Sequence, residues 1–323
     1  MKVRLGVDMM GGDHDPLVVW EALGEVLLSS TGEQPVEFTV FATSDVHHQL
    51  MNSPLSRSVR IVTAEDFVSM EDSLLAAVRK KRSSMALGLD ALQQGDLDGF
   101  VSSGNTAALV TLARSKIPMI PAVPRPALLV SVPTLSGFAV ILDVGATVSV
   151  NPDEMVGFAR MGLAYRQSLS SNSNQPFTLG LLNIGSEERK GTDSHKQTFR
   201  MLRNIFGSAF LGNIESGDVF SGKVASPIVV TDGFTGNVFL KTAEGLFDFL
   251  RHILGDRLEK SIKMQFDYTI YPGSIISGLS RLVIKCHGKS HGTALFGGIS
   301  GAIDLARANV CSRIADRFGD NVV

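Results

Sequence analysis

The chain has 323 residues, of which 44% are hydrophobic and 19% charged, and its formal net charge is −2. This balance argues against the broad basic surface of nucleic-acid-binding domains, so we expect no nucleic-acid partner. Two cysteines, Cys286 and Cys311, are too few for a disulfide framework and favour a reducing compartment. No stretch reaches the roughly 18 apolar residues of a membrane span, and the N-terminus lacks a signal-peptide apolar region. We expect a protein that is cytoplasmic or peripheral to the inner face of the plasma membrane.

Short apolar runs alternate along the chain with longer stretches of helical periodicity. The predicted strands are Val3–Val7, Val36–Phe41, Val59–Val62, Gly99–Val101, Leu128–Val132, Val140–Leu142, Leu179–Ile184, Ile228–Val230 and Leu282–Ile284, and the main amphipathic stretches are Pro16–Leu28, Ser73–Gln94, Asp153–Ser168 and Ser194–Phe206. Strands that alternate with helices predict βαβ units and a mostly parallel sheet with right-handed crossovers. We predict one α/β domain over residues 1–323, with an elaborated C-terminal part in which residues 245–280 form a helical protrusion.

Six predicted strands end in loops that are rich in glycine and small polar residues. In chain order these loops are Asp8–Asp13, Ser102–Thr106, Asp143–Thr147, Asn183–Gly191, Asp232–Asn237 and Lys285–Gly288. Ligands bind at the carboxyl ends of strands in open α/β sheets, and helix N-termini there offer N–H groups to anions. One such loop is ordinary turn chemistry, but six together predict an oxyanion site. Lys190, Lys241, Lys285 and His287 are its candidate charge partners.

Several common active-site motifs are absent from the sequence. No dinucleotide-binding glycine motif follows the first strand, and there is no phosphate-binding loop or nucleophile elbow. Cys286 and His287 invite interpretation as a nucleophile and its base, yet adjacent strand residues point to opposite faces. The histidines lack metal-ligand spacing. We therefore expect neither a cofactor nor a metal.

The same loops resemble those of the bacterial phosphate acyltransferases. The most specific matches are Asp232-Gly233-Phe234-Thr235-Gly236-Asn237-Val238 and Leu182-Asn183-Ile184-Gly185 with Glu187-Glu188 and Lys190-Gly191, while Gly11-Gly12-Asp13, Ser103–Thr106 and Leu142–Ala146 also fit. The similarity runs to about residue 290. This chain departs from the usual family residues at Met9, Ala107, Thr147, Cys286 and the Pro272–Ile275 run, and none of these departures removes a charged group.

The resemblance implies transfer of a long-chain fatty acyl group from acyl carrier protein to inorganic phosphate, which gives acyl phosphate for phospholipid synthesis. It also implies a Rossmann-like three-layer α/β/α fold, a homodimer, and transient contact with the membrane or a membrane glycerol-3-phosphate acyltransferase. Two rival functions stay open. One is a phosphate acetyltransferase-like enzyme that uses coenzyme A thioesters, and the other is a non-catalytic anion-binding scaffold.

Roles follow for individual residues if the resemblance holds. Lys190 supplies charge, His287 donates a proton or polarises the carbonyl, and Asp232 orients these groups or simply caps a helix. The predicted substrate-binding residues are Asp8, Gly11, Gly12, Asp13, Ser103, Gly104, Asn105, Thr106, Asp143, Asn183, Gly233, Thr235, Gly236, Asn237 and Lys241. Among them, the backbone N–H groups of Gly104–Thr106 and Gly236–Asn237 are expected to cradle the anion.

Two basic segments are candidate partner surfaces. Arg79-Lys80-Lys81-Arg82 lies on a predicted helix and is either a solvated face or a docking site for the acidic carrier protein. Gly245–Lys263 mixes apolar and basic residues, a pattern that suits a membrane surface or a dimer contact equally well.

Overall fold

The computed structural model describes residues 2–29, 35–169, 177–223, 227–255, 273–286 and 292–319. Contacts within the chain divide it into two compact units. Unit 1 comprises Met1–Ile120 with Thr269–Cys311, and unit 2 comprises Pro121–Tyr268 with Ser312–Val323. The single domain expected over residues 1–323 stays a prediction.

Strands and helices alternate along most of the chain. In order they are β1 (Val3–Asp8), α1 (Pro16–Ser29), β2 (Val36–Thr43), α2 (Ser44–Met51), β3 (Val59–Ala64), α3 (Leu74–Arg79), α4 (Ser84–Gln94), β4 (Gly99–Ser102), α5 (Thr106–Lys116), β5 (Ala127–Thr134), β6 (Gly137–Leu142), α6 (Pro152–Leu169), β7 (Leu179–Leu182), α7 (Asp193–Phe206), β8 (Phe210–Ile214), α8 (Ser216–Phe220), β9 (Ile228–Val230), α9 (Gly233–Leu254), β10 (Ser274–Ser277), β11 (Leu282–Lys285), α10 (Gly292–Arg307) and α11 (Val310–Gly319). Short 3-10 turns lie at Pro54–Arg57 and Gly207–Ala209.

The sheet of unit 1 has the strand order β3-β2-β1-β4-β11-β10. Neighbouring strands are parallel, except that β10 runs antiparallel to β11. Helices α1 and α10 pack together, and α10 lies against β1, β4 and β11, while α4 packs against β1, β2 and β4. Helices therefore pack against the central strands, and Val3, Leu5 and Val7, which point to one face of β1, are all buried.

The sheet of unit 2 has the order β5-β6-β9-β7-β8, with β5 antiparallel to β6 and the other pairs parallel. Helix α6 packs against β6, β9 and α7. Its Gly162 permits this approach, because a Cβ there would lie 2.5 Å from Ile228 Cγ2 and 2.8 Å from Leu142 Cδ1. The α/β class and the mostly parallel sheets predicted from the sequence are confirmed.

All nine predicted strands are present, and the described residues also form two strands that were not predicted, β8 and β10. Strand β10 corrects the predicted helical protrusion, since residues 274–277 pair with β11 instead of continuing a helix. Helix α9 covers the start of that segment, whereas residues 256–272 lie outside the described part of the chain. Among the described residues, no helix is both long and apolar enough to cross a membrane.

The basic run at residues 79–82 was predicted to lie within one helix, and the structure contradicts that prediction. Helix α3 ends at Arg79, and a new helix, α4, begins after Ser83, whose Oγ accepts a hydrogen bond from the Ala86 amide at 3.3 Å. Ser83 is therefore an N-cap that divides the predicted Ser73–Gln94 helix into α3 and α4.

Candidate active site

The glycine-rich loops follow the carboxyl ends of strands, as predicted, and three of them lie in each unit. In unit 1 the loops follow β1, β4 and β11, which are neighbours in the sheet. In unit 2 they follow β6, β9 and β7, again three neighbouring parallel strands. Each unit thus brings three of the predicted loops to one edge of its sheet.

Buried opposite charges, Asp8 and Lys285, organise the loops of unit 1. The Asp8 carboxylate accepts hydrogen bonds from Ser102 Oγ at 2.8 Å and from the Met10 amide at 3.1 Å. Lys285 Nζ donates to the Ser103 carbonyl oxygen at 2.8 Å and also to that of Cys286. Burial raises the pKa of Asp8, while its hydrogen bonds and the positive charge of Lys285 act in the opposite direction. The two side chains hold the loops together, and the substrate contact expected of Asp8 stays a prediction.

Gly11 and Gly104 let two of these loops touch through their backbones. A Cβ on Gly11 would lie 2.5 Å from the Gly104 nitrogen, and Ser103 Oγ donates to the Gly11 carbonyl oxygen at 2.5 Å. The Gly104 amide donates to Ser102 Oγ at 3.1 Å, and its expected part in holding an anion stays a prediction. Gly12 takes the left-handed backbone conformation (φ 104°), and the following Asp13 is exposed.

Asn105 caps helix α5 and ties down a neighbouring loop. Its Oδ1 accepts the Ala108 amide at 3.1 Å, and its Nδ2 donates to the carbonyl oxygens of Met70 at 3.0 Å and Asp72 at 3.4 Å. Thr106 is the first residue of the helix. The helix dipole favours negative charge at this end, which suits the anion cradle predicted for Gly104–Thr106, and that cradle stays a prediction.

Asp143 organises the corresponding loop of unit 2. It is fully buried, and its Oδ1 accepts backbone N–H groups from Leu128 at 2.9 Å, Gly145 at 3.1 Å and Ala146 at 2.9 Å. Burial raises the pKa of this carboxyl, and the backbone hydrogen bonds partly offset that effect. Asp143 therefore fixes the path of the chain after β6.

The first turn of α9 packs directly against that loop. A Cβ on Gly233 would lie 2.2 Å from the Thr147 carbonyl oxygen, and one on Gly236 would lie 1.9 Å from the Asp143 carbonyl oxygen. Asn237 Nδ2 donates to the Val144 carbonyl oxygen at 3.1 Å. The Gly236 amide donates to the Asp232 carbonyl oxygen at 2.9 Å, and its predicted role in holding the anion stays a prediction. These glycines serve close packing between helix and loop.

Asp232 caps α9, the simpler of its two predicted roles. Its Oδ1 accepts the Thr235 amide at 2.8 Å, and its Oδ2 accepts Thr235 Oγ1 at 2.7 Å. Its negative charge also acts on His195, an imidazole that the sequence analysis missed. His195 Nδ1 shares a 2.8 Å hydrogen bond with Thr192 Oγ1; burial lowers its pKa and Asp232 opposes that effect. The signal in the sequence was a histidine in the first helical turn after Gly191.

Lys190 lies in a loop that Asn183 closes. Asn183 Nδ2 donates to the Lys190 carbonyl oxygen at 3.2 Å, and its Oδ1 accepts the Ile184 amide at 2.8 Å. Lys190 Nζ lies 3.8 Å from Glu187 Oε2, and its side chain is 43% exposed. An exposed ammonium in a loose ion pair is available to an incoming anion. Lys241, in contrast, is bonded to Glu244 at 2.6 Å within α9.

Cys286 is unsuited to a nucleophilic role. Burial raises the pKa of its thiol to about 11, and a Cβ on Gly298 would lie 2.4 Å from its Sγ. A protonated, enclosed thiol is inert at neutral pH. The neighbouring His287 lies outside the described residues. Across the described ranges, no group of three potential metal-ligating side chains is found.

Comparison with known proteins gives both sequence and fold relatives. Residues 3–313 match the family described as "Fatty acid synthesis protein". A "Phosphate acyltransferase" of Chlamydia trachomatis serovar L2 is 99% identical over 323 residues, which is 100% of both chains. A protein of the same name from Chlamydia felis is 64% identical over 97% of this chain and 98% of its own.

Among solved structures, a phosphotransacetylase from Streptococcus pyogenes aligns with a TM-score of 0.63 at 16% identity, covering 95% of this chain and 94% of its own. A branched-chain phosphotransacylase from Enterococcus faecalis V583 aligns with a TM-score of 0.59 at 12% identity, covering 95% and 99% respectively. At these identities the likeness concerns the fold alone.

Proposed function

The chain belongs to the phosphate acyltransferase family, and we propose that it moves a long-chain fatty acyl group from acyl carrier protein to inorganic phosphate. The product is an acyl phosphate, which we propose is consumed in phospholipid synthesis in the cytoplasm. Its assignment as a phosphate acyltransferase follows from the 99% identity along the full chain. The long-chain donor, the carrier protein and the fate of the product are our proposals.

The observation that supports direct transfer to phosphate best is the contrast between Lys190 and Cys286. Lys190 offers an exposed cation at the edge of a parallel sheet, whereas Cys286 is buried and has a pKa raised to about 11. An exposed cation and an inert thiol each fit a reaction in which the acceptor itself is the nucleophile. Phosphate is already an anion at neutral pH and meets that requirement.

In the proposed reaction a phosphate oxygen attacks the thioester carbonyl carbon. A C–O bond forms, the C–S bond breaks, and the leaving thiolate takes up a proton. A thiol has an unperturbed pKa of about 8.5, so protonation is a modest demand. Positioning and stabilising the tetrahedral oxyanion are the larger demands, and one preorganised donor is worth about 3 kcal/mol. We assign the charge to Lys190 and the proton to His287, with Asp232 orienting the loop.

Donor choice tests the proposal. Palmitoyl acyl carrier protein, palmitoyl-coenzyme A and acetyl-coenzyme A should each be offered at equal concentration, with and without phosphate, and thiol release followed. We expect rapid, phosphate-dependent release from the carrier protein and little from coenzyme A. Reaction with acetyl-coenzyme A alone would instead favour a phosphate acetyltransferase, and no release from any donor would favour a non-catalytic scaffold.

Helix α9 supports the further proposal of a homodimer. Large apolar side chains are exposed at spacings of three, four or eight residues along it, namely Phe234, Val238, Leu246, Phe249 and Ile253. Such a stripe is typical of a helix that packs against another helix. Sedimentation of Phe249→Glu should show monomers where the wild type shows dimers, and an unchanged dimer would exclude this face. We also propose that the protein makes transient contact with the membrane or with a membrane glycerol-3-phosphate acyltransferase.

A further inference from the structure

An exposed apolar surface with a basic rim surrounds the short helix α3. The five large side chains Phe67, Met70, Leu74, Leu75 and Val78 are each between 37% and 62% exposed. The exposed cations Arg79 and Lys81 follow directly at the end of the helix. We call these seven residues the α3 surface. Clustered apolar exposure of this kind marks interaction sites in folded proteins.

The α3 surface adjoins the candidate anion site of unit 1. Asn105, which caps α5, donates its side-chain amide to the carbonyl oxygens of Met70 and Asp72 at 3.0 and 3.4 Å. Helix α3 also packs against α5. A partner bound to α3 is therefore held beside the loop Ser103–Thr106.

Lys80 anchors this surface and is not part of its exposed rim. Its Nζ donates to the Phe67 carbonyl oxygen at 2.8 Å and lies 2.9 Å from Asp72 Oδ2 and 3.6 Å from Asp66 Oδ1. The hydrogen bond to Asp72 is the main cause that raises the pKa of Lys80. Two carboxylates already balance Lys80, so Arg79 and Lys81 carry the positive charge that a partner would meet.

We propose that the α3 surface docks the acyl carrier protein and delivers its thioester to the loop Ser103–Thr106. The inference rests on the proposed function and adds the docking surface to it. Arg79 and Lys81 complement the acidic partner, and Leu74, Leu75 and Val78 cover its apolar contact residues. A second copy of the chain fits less well, because a two-fold contact would bring the same cations face to face.

The test compares two charge reversals in unit 1. Arg79→Glu with Lys81→Glu alters the α3 surface, and Arg57→Glu with Arg60→Glu alters two other exposed arginines as a matched control. We expect the first pair to raise KM for acylated carrier protein about 10- to 100-fold and to leave KM for phosphate unchanged. Its rate should also depend less on salt than that of the wild type, since salt screens charges over about 10 Å at 0.1 M. The control pair should behave as the wild type does.

Two further variants separate docking from folding. Leu75→Gln removes the most exposed apolar contact and should raise the same KM, whereas Lys80→Met should mainly lower the melting temperature. Unchanged carrier-protein KM in the Arg79 and Lys81 variant overturns the docking proposal. So does a change confined to oligomeric state or to vesicle binding, which would assign the surface to a second copy or to a membrane. If even the wild type fails to use acylated carrier protein, the proposed function itself fails.

Discussion

Gly236 provides the sharpest test of how α9 is positioned. In the variant Gly236→Ala, the new Cβ would lie 1.9 Å from the Asp143 carbonyl oxygen and 2.9 Å from Thr231 Cγ2. The first of these neighbours is backbone, so rotation of a side chain cannot relieve the clash. Gly245 in the same helix has nothing within 4 Å of the corresponding Cβ position and serves as the matched control.

The size of the effect follows from the distances. An ordinary contact begins at 3.4 Å, so the first turn of α9 and the Asp143 loop must separate by about 1.5 Å. Overpacking of this kind costs about 1–3 kcal/mol of unfolding free energy. A displacement of about 1 Å near reacting groups can lower a rate about 100-fold. Gly245→Ala should instead stabilise the protein by about 0.5–1 kcal/mol, because alanine favours helix.

Urea unfolding and steady-state kinetics on the two variants provide the measurement. We expect Gly236→Ala to unfold at lower urea and to lose most of its kcat, and Gly245→Ala to unfold at slightly higher urea than the wild type and to retain its activity. Equal stability and equal kcat in the two variants would refute the packing role of Gly236.

The remaining predictions concern charges and the thiol. Lys190→Ala should lower kcat/KM by about 2–4 kcal/mol equivalent, whereas Lys196→Ala, at another partly exposed lysine, should not; near wild-type rates at limiting phosphate would exclude the role of Lys190. Cys286→Ser should keep most of its activity, and iodoacetamide should modify Cys286 slowly at pH 8, because thiolate forms only as the pH approaches about 11. A loss of kcat beyond about 100-fold in the folded variant would point to a covalent intermediate. Lys285→Met should cost about 1–3 kcal/mol in urea unfolding, because it leaves the buried carbonyl oxygens of Ser103 and Cys286 without their donor. Unfolding at the wild-type midpoint would contradict that account.

The strands could be predicted because those buried in a sheet between helices read as nearly continuous apolar runs, as β6 and β9 do. Strand β8 was missed because Gly212, in the left-handed conformation (φ 97°), and Asn213 interrupt its apolar pattern. Strand β10 has only four residues, with serine at each end. The break between α3 and α4 was missed because Val78 and Met85, seven residues apart, keep the phase of one helix, although the polar residues 79–84 and Ser83 provided a signal for a break and a cap.

The position of the candidate loops was also predictable, but the roles of their glycines were not. A glycine after a strand predicts that another group packs closely against its backbone, but the sequence does not identify that group. At Gly236 the approaching group is the Asp143 loop, and at Gly104 it is Gly11 with Met85, all distant in sequence. One amino-acid sequence alone does not indicate which residues distant along the chain are in contact. His195 was missed for a similar reason, since its environment depends on Asp232 in a separate loop.

Transfer of the acyl group to phosphate itself can be followed with phosphate in which all four oxygens are ¹⁸O. The enzyme should be incubated with palmitoyl acyl carrier protein and this phosphate, and the products identified by mass spectrometry while free thiol is counted. Attack by phosphate predicts one acyl phosphate for each thiol released, and that product should retain all four labelled oxygens. Thiol release that yields only unlabelled palmitate, or that proceeds equally well without phosphate, would contradict acyl transfer to phosphate.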